Sequence, residues 1–432
     1  MQAPPESVPK RLLGLCPLLG AALGVTLVFL PLARQGLPAV GRALVSSPIL
    51  VLVVAELMHL AFLTALWLRY RPVALPPDEA LPVLTVIIPA YNEGPMVEQS
   101  IRSVAGANYP HDKLEILVVD DGSRDDTFFH MEKLRKLHPQ VVRLIRFRGN
   151  QGKRAALRTG FESARGDIVI TIDSDSEIEP DTLRALAAPF SDPRVGGVAG
   201  WVRVLNSKPL IGRMLDVQFT LSFDLTRAAQ SIFGAVFVCP GALSAFRRSV
   251  ILPFMDEWVN QSFLGRPVGH GEDQALTNIV LKAGFHTAYQ RNAVVWTLVP
   301  QTYRQLTRML TRWDRSYVVE GFSFAKFMFT KYRDGNRVFP ILGFFASTFR
   351  LFYVFVGLVA LPAALIRRPD VLVAGLAAGF VMAALSSLYY LRARPGLRFL
   401  WGAVYAVYAF TALLWILPYA IVTVRDERWG TR

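Results

Sequence analysis

Cysteine is almost absent: Cys16 and Cys239 are the only two in 432 residues. Two thiols so far apart exclude both a disulfide framework and a cysteine-rich zinc site. Acidic residues are also scarce, 33 against 47 lysines and arginines, for a formal net charge of +14. Such an excess first brings nucleic acid to mind. Here, however, many of the bases flank apolar runs: Lys10 and Arg11, Arg69 and Arg71, Arg367 and Arg368, Arg392, Arg394 and Arg398. Flanks of that kind mark the cytoplasmic ends of membrane segments, so no nucleic-acid partner is expected. A secretory signal peptide is not expected either, because the first apolar run is long and no small-residue cleavage site follows it cleanly.

What is abundant is apolar: 52% of the chain, above the roughly 45–50% of soluble proteins. The apolar residues gather at the two ends. Residues 12–33 and 48–67 are each about long enough to cross a bilayer, the second interrupted by Glu56 and His59. Three further runs cover 339–366, 371–391 and 399–424, with Arg350 inside the first. An ionisable side chain at such a depth is expected to face protein or water. The organisation expected is therefore two N-terminal spans (1–71), a cytoplasmic catalytic domain (72–335), a C-terminal membrane region (336–424) and a cytoplasmic tail (425–432). Residues 210–233 and 322–332 mix rings and aliphatic residues with charges, as helices lying along a membrane surface do; the alternative is ordinary core helices.

Between the apolar ends, short buried-strand patterns at 84–89, 114–119 and 168–172 alternate with helical patterns at 96–107, 128–137 and 152–164. Strands alternating with helices predict a doubly wound, mostly parallel sheet. Such sheets bind ligands beyond the carboxyl ends of their strands. Polar clusters follow those ends: Asn92-Glu93, Asp120-Asp121 and Asp173-Ser174-Asp175. The last pair can hold a hard divalent cation through oxygen. Gly152-Lys153-Arg154 opens a helix where phosphate would sit, or forms a solvated basic turn. Gly271-Glu272-Asp273-Gln274 starts another helix; its acids either cap that helix or supply a general base in Asp273. Arg312 suits a diphosphate. Trp313 offers a flat face to a sugar ring, or packs in the core.

Taken in order, Ile87-Ile88-Pro89-Ala90-Tyr91-Asn92-Glu93, Val118-Val119-Asp120-Asp121-Gly122-Ser123, Gly152-Lys153-Arg154, Asp173-Ser174-Asp175, Gly271-Glu272-Asp273-Gln274 and Thr311-Arg312-Trp313 resemble the family 2 inverting glycosyltransferases of GT-A fold. Within them the chain is similar to the processive membrane synthases of hyaluronan and of nodulation chitooligosaccharides. Leu391-Arg392-Ala393-Arg394 fits that branch, and Arg428-Trp429-Gly430-Thr431-Arg432 is similar to its gating segment.

The resemblance implies an α/β, Rossmann-like GT-A domain embedded between transmembrane helices of the plasma membrane. It implies a UDP-sugar donor bound by Asp121, Lys153, Asp173, Arg312 and Trp429. Asp175 would ligate Mg2+ or Mn2+. Asp273 would be the base, with Glu272 beside it in the catalytic group. Trp313 and Gly241 would meet a growing polysaccharide acceptor. The product expected is hyaluronan from UDP-GlcNAc and UDP-GlcA, extruded through the spans. The alternatives are a poly-N-acetylhexosamine made from UDP-GlcNAc alone, or transfer to a lipid carrier. One departure stands out: the family's Gln-x-x-Arg-Trp has Met309 in place of glutamine, with Gln305 one turn earlier as a possible substitute. A tail that reaches a cytoplasmic donor also requires the last apolar run to break, with Pro418 marking the place.

Overall fold

The computed structural model describes residues 8–33, 48–367 and 369–426. Two long apolar helices come first, α1 (Cys16–Ala33) and α2 (Pro48–Arg69). The α/β region then runs β1 (Leu84–Ala90), α3 (Met96–Ala105), β2 (Leu114–Asp120), α4 (Thr127–Leu137), β3 (Val142–Arg146), α5 (Lys153–Ser163), β4 (Ile168–Thr171), β5 (Ser176–Ile178), α6 (Thr182–Ala187) and β6 (Val195–Val204). It continues with α7 (Leu210–Thr220), α8 (Thr226–Ile232), β7 (Ser244–Arg247), β8 (Ser262–Phe263), β9 (Arg266–Pro267), α9 (Glu272–Lys282), β10 (His286–Thr297) and α10 (Tyr303–Phe327). The apolar helices α11 (Val338–Arg367), α12 (Pro369–Ser387), α13 (Leu400–Tyr408) and α14 (Ile416–Val422) follow.

Eight strands form one sheet in the order β3-β2-β1-β4-β7-β6-β10-β5. The first four are mutually parallel, β7 is antiparallel to both neighbours, and β6 and β10 run parallel to each other. Alternation along the strands splits the core. Val86, Ile88, Ile116, Val118 and Ile170 face one way, towards α3, α4, α6 and α7. Ile87, Leu117, Val119 and Val169 face the other, towards α5, α8 and α9. A strand buried on both faces reads as a continuous apolar run, which is how β1, β2 and β4 stand out in the sequence.

The chain leaves β1 towards β2 on one side and returns to β4 on the other. The strand order therefore reverses at β1, and a crevice opens there. Ala90 pairs with Asp120, and Ile87 with Thr171. That register brings Asn92-Glu93, Asp121 and Asp173 out on one edge of the sheet.

The segment 210–233 is helical throughout but is no simple surface helix. α7 and α8 are joined through a π-turn, Leu221–Leu225. Met214, Leu215, Val217 and Phe219 are buried. Its two acids are buried as well and paired. Asp224 accepts from Tyr389 Oη (2.7 Å) and Tyr289 Oη (3.0 Å) and meets Arg291 (2.6 Å) and Arg392 (3.4 Å). Asp216 accepts from Tyr390 Oη (2.6 Å) and meets Arg394 (3.4 Å). Both arginines of Leu391-Arg392-Ala393-Arg394 thus clamp the apolar C-terminal region onto the α/β region. Buried charges persist only when paired in this way.

Among the described residues no single helix is long and apolar enough to cross a membrane. One bent pair, Leu397–Leu413 with Ile416–Val422, passes by length and composition, its halves meeting at 47°. The break falls at Leu414-Trp415, just before Pro418. Proline lacks the N–H and crowds the carbonyl four residues back, which here is that of Leu414. The side chains of Glu56 and Arg350, and the tail with Trp429, lie outside the described residues.

Candidate active site

Asp121 follows β2 and turns inward. Its carboxylate accepts from the backbone N–H of Gln151 (2.7 Å) and Gly152 (2.9 Å) and from Asn150 Nδ2 (3.0 Å). It therefore shapes the loop that opens α5. Gly122, at φ +73°, lies so close to Gly149 that a Cβ would fall 2.5 Å from the carbonyl carbon. Beside this contact, Gly122, Ser123, Arg124, Arg146, Phe147 and Arg148 line a cleft of about 430 Å3. Across it Asn92, in a left-handed turn (φ 54°), accepts from the backbone N–H of Arg124 at 2.9 Å.

Lys153 is the first residue of α5. Its ammonium lies 2.6 Å from Asp173 Oδ1 and 2.9 Å from Glu272 Oε1. This one side chain joins the strand-end loops to α9. Burial alone would pull its pKa down, but the two carboxylates more than offset that and hold it above the ordinary lysine value. Burial pushes Glu272 up; Lys153, with help from Arg312, reverses this and leaves it well below the ordinary range. Asp273 goes the other way. Burial raises it, the adjacent Glu272 charge raises it further, and Lys153 and the Gly241 N–H only partly oppose them. Two neighbouring carboxylates whose values are driven apart mark an acid–base site.

Asp273 is held by two backbone donors, Gly241 N (2.9 Å) and Gln274 N (2.8 Å). A Cβ on Gly241 would sit 3.2 Å from Lys153 Nζ and 3.8 Å from Asp173 Oδ1, which places this backbone directly against the ion pair. Lys153, Asp173, Gly241, Glu272 and Asp273 line a small cavity floored by Leu157, Thr171 and Leu276. Gly271 (φ 71°) packs so tightly that a Cβ would meet Ser316 Oγ at 2.0 Å, which pins α9 to α10.

Asp175 is half-buried, with Oδ1 near Ser176 Oγ (3.2 Å) and Thr297 Oγ1 (3.4 Å). No cluster of three metal-ligating side chains exists among the described residues. Mg2+ and Mn2+ sites of nucleotide enzymes do not need one, since one or two carboxylates and the substrate's phosphates suffice. Asp175, with Asp173 two residues away, fits that donor set.

Trp313 lies half-buried against Phe219 (5.9 Å between ring centroids) and Phe223 (6.4 Å), both on the buried segment at α7 and its π-turn. It is both packed and partly open. Met309 packs against the same core. Gln305 does not replace the missing glutamine. Its Oε1 accepts from Thr302 N (3.2 Å) and Gln301 N (3.1 Å) in a capping box, so it is spent on the start of α10.

Arg154 corrects a further expectation. It is no solvated or phosphate-facing cation but a buried brace, donating to Trp258 O (2.6 Å), Gln261 Oε1 (2.9 Å) and His270 O (3.0 Å). Gln261 Nε2 donates to Glu320 Oε1 (2.6 Å), and Asn278 Nδ2 to Glu320 Oε2 (2.8 Å). This web stands behind Asp273, and no local pattern revealed it. Burial, then Arg315 and Arg154, push His270 within it down to about 4, so its ring is neutral at neutral pH.

Residues 85–252 match the Glycosyl transferase family 2 pattern. An N-acetylglucosaminyltransferase of Azorhizobium caulinodans is 32% identical over 82% of this chain and 89% of its own. One of Rhizobium meliloti is 38% identical over 55% of this chain and 56% of its own. A hyaluronan synthase of Streptococcus pyogenes is 31% identical over 81% and 83%. Among solved structures, a mannosyltransferase from Pyrobaculum calidifontis, in complex with GDP-Man and Mn2+, covers 88% of this chain and 99% of its own, at 23% identity and a TM-score of 0.56. That likeness confirms the GT-A-type fold with its mostly parallel sheet. With the strand-end acids and the cradled Asp273 in place, the chain belongs to glycosyl transferase family 2 and resembles both the N-acetylglucosaminyltransferases and the hyaluronan synthases within it.

Proposed function

We propose that the chain is a membrane-embedded inverting polymerase that builds a β-linked polysaccharide from UDP-sugars and extrudes it. Hyaluronan, from UDP-GlcNAc and UDP-GlcA, is the leading product. The observation that carries the inverting chemistry is the cradle of Asp273. One carboxylate is fixed by two backbone donors, raised by burial and by Glu272, and set beside the Lys153–Asp173 pair.

In this reading the acceptor hydroxyl attacks C1 of the donor sugar while Asp273 takes its proton. The bond from C1 to the diphosphate oxygen breaks, and UDP leaves. One displacement inverts C1, so an α-linked donor gives a β-linkage. Trp313, backed by Phe219 and Phe223, stacks the acceptor sugar, with Gly241 at its edge. Lys153, Arg312 and the loop shaped by Asp121 neutralise and orient the nucleotide. A divalent cation held by Asp175, with Asp173 alongside, would supply Lewis-acid stabilisation of the leaving diphosphate. The apolar helices and basic flanks favour a plasma-membrane location with the catalytic domain in the cytoplasm.

A second reading, a polymer of N-acetylhexosamine from UDP-GlcNAc alone, is favoured by the 38% identity to the Rhizobium meliloti enzyme. UDP release by the purified protein separates the two. Release that requires both donors supports hyaluronan. Full turnover with UDP-GlcNAc alone selects the second reading, and no release with either donor contradicts both.

A further inference from the structure

A small hairpin stands directly before the base helix. β8 and β9 pair Ser262 with Pro267 and Phe263 with Arg266, leaving Leu264 and Gly265 as a two-residue turn. Both turn residues have positive φ, 49° at Leu264 and 76° at Gly265. That is the turn normally made by Asn-Gly or Asp-Gly, because a side chain branching beyond Cβ is disfavoured in the left-handed region. Leu264 is therefore a poor choice for its backbone. It is also a poor choice for water, since it is 65% exposed at the tip.

The tip is not an isolated apolar residue. Phe263 packs on Phe322 of α10 at 5.7 Å between centroids. Phe322, 58% exposed, lies one helical turn from exposed Lys326 on α10, and Phe329, 70% exposed, follows in the turn after that helix. Gly321, next to Phe322, has its open side 3.8 Å from Phe344 of α11. Phe344 in turn stands against Phe345 (5.8 Å between centroids), and Val338, Leu342 and Phe345 of that apolar helix are exposed as well. Arg266, Lys326 and Lys331 are exposed around it, and Asp334 is the only acidic residue between 322 and 338. Rings and a leucine beside lysines and arginines are what a membrane surface with anionic headgroups selects.

We propose that the hairpin 261–268 is a membrane-surface anchor, with Leu264 inserted among the lipid chains and Arg266, Lys326 and Lys331 against anionic headgroup phosphates. The proposal rests on the membrane reading above and adds a lipid contact for an element of the catalytic domain itself. The root of the hairpin is Gln261, which bonds both Arg154 and Glu320, and its exit strand leads through His270 to Glu272 and Asp273. The anchor therefore fixes the height of the base helix above the bilayer.

The test uses the full chain in vesicles of mixed phosphatidylcholine and phosphatidylglycerol. Cys239 is buried, so a Cys16→Ala, Leu264→Cys protein carries one environment-sensitive fluorophore at the tip. The expected result is a blue-shifted emission, quenched by nitroxide-bearing lipids and protected from iodide. Quenching by iodide alone, in protein that resists alkaline extraction, overturns the anchor and leaves the membrane reading standing. Protection from both quenchers means the tip meets protein, and also overturns it. Protein released by the alkaline wash sinks both proposals together. Leu264→Asn, which suits the turn better, supplies a second check with the fluorophore moved to Ser262→Cys. The blue shift at 262 should be lost while thermal stability in detergent is kept; an unchanged blue shift contradicts the role given to Leu264.

Discussion

The two walls of the proposed active site, one assigned to the donor and one to the base, are built on different plans. The donor wall is local: Asn92, Asp121, Lys153, Asp173 and Asp175 each stand within a few residues of a strand end or helix start, and the sheet register brings them together. The base wall is long-range: Asp273 is fixed through Gly241, and its helix is braced by Arg154, Gln261 and Glu320 across more than a hundred residues of chain. Local walls can be read from motifs. Braced walls follow from packing alone and fail when a distant side chain is changed.

The largest effect expected is on the base wall. Asp273→Asn should lower turnover by about 10^2–10^4-fold, the range of lost general-base catalysis, while equilibrium binding of the UDP-sugar stays within about twofold, near wild type. Lys153 joins the two walls. Lys153→Ala leaves Asp173 and Glu272 facing each other and should cost about 2–3 kcal/mol in denaturant melts, less than a fully buried pair would because the side chain keeps some exposure. Glu320→Ala touches no substrate. It should lower kcat about tenfold through misplacement of Asp273 while the donor KM and the amount of folded, donor-binding protein hold; a matching loss of folded protein in the melts would make it a general folding defect instead.

Titration sharpens the comparison. Because burial and the Glu272 charge raise Asp273, activity should fall on the acid side at a pH above the ordinary aspartate value, as the base takes up its proton. Glu272→Gln removes one of the charges that raise it and should move that limb to lower pH. The smallest effect lies on the donor wall's outer edge, where His130 sits 2.7 Å from Glu98 and joins α4 to α3. Its hydrogen bond to Glu98 raises His130, and Lys133 and His130 bring Glu98 down to about 2. The His130 contribution is therefore complete at low pH and fades as pH rises through its raised value, while that of Glu98 is lost only as pH falls towards about 2. His130→Ala should cost less than about 1 kcal/mol in the same melts, and only below that upper limit.

The same contrast explains what was legible. Continuous apolar runs announced β1, β2 and β4, and the acids after them announced the crevice. The antiparallel β7 was not foreseen, because its short run, Ser244–Arg247, carries no distinctive period. Arg154 looked like a surface cation because Asn150, Gln151 and Lys153 precede it; only packing turns it inward. Gln305 looked like a spare glutamine because spacing shows reach but not prior engagement, and its amide caps α10. The proline break was legible because Pro418 forbids one particular carbonyl, and the chain bends there.

The central claim is a single displacement at Asp273. The most direct measurement is the anomeric configuration of the newly formed linkage, read by NMR on product made from an α-linked UDP-sugar. The account predicts a β-linkage in every product. An α-linkage would mean retention at C1, which a single in-line displacement with Asp273 as base cannot give, and would contradict it.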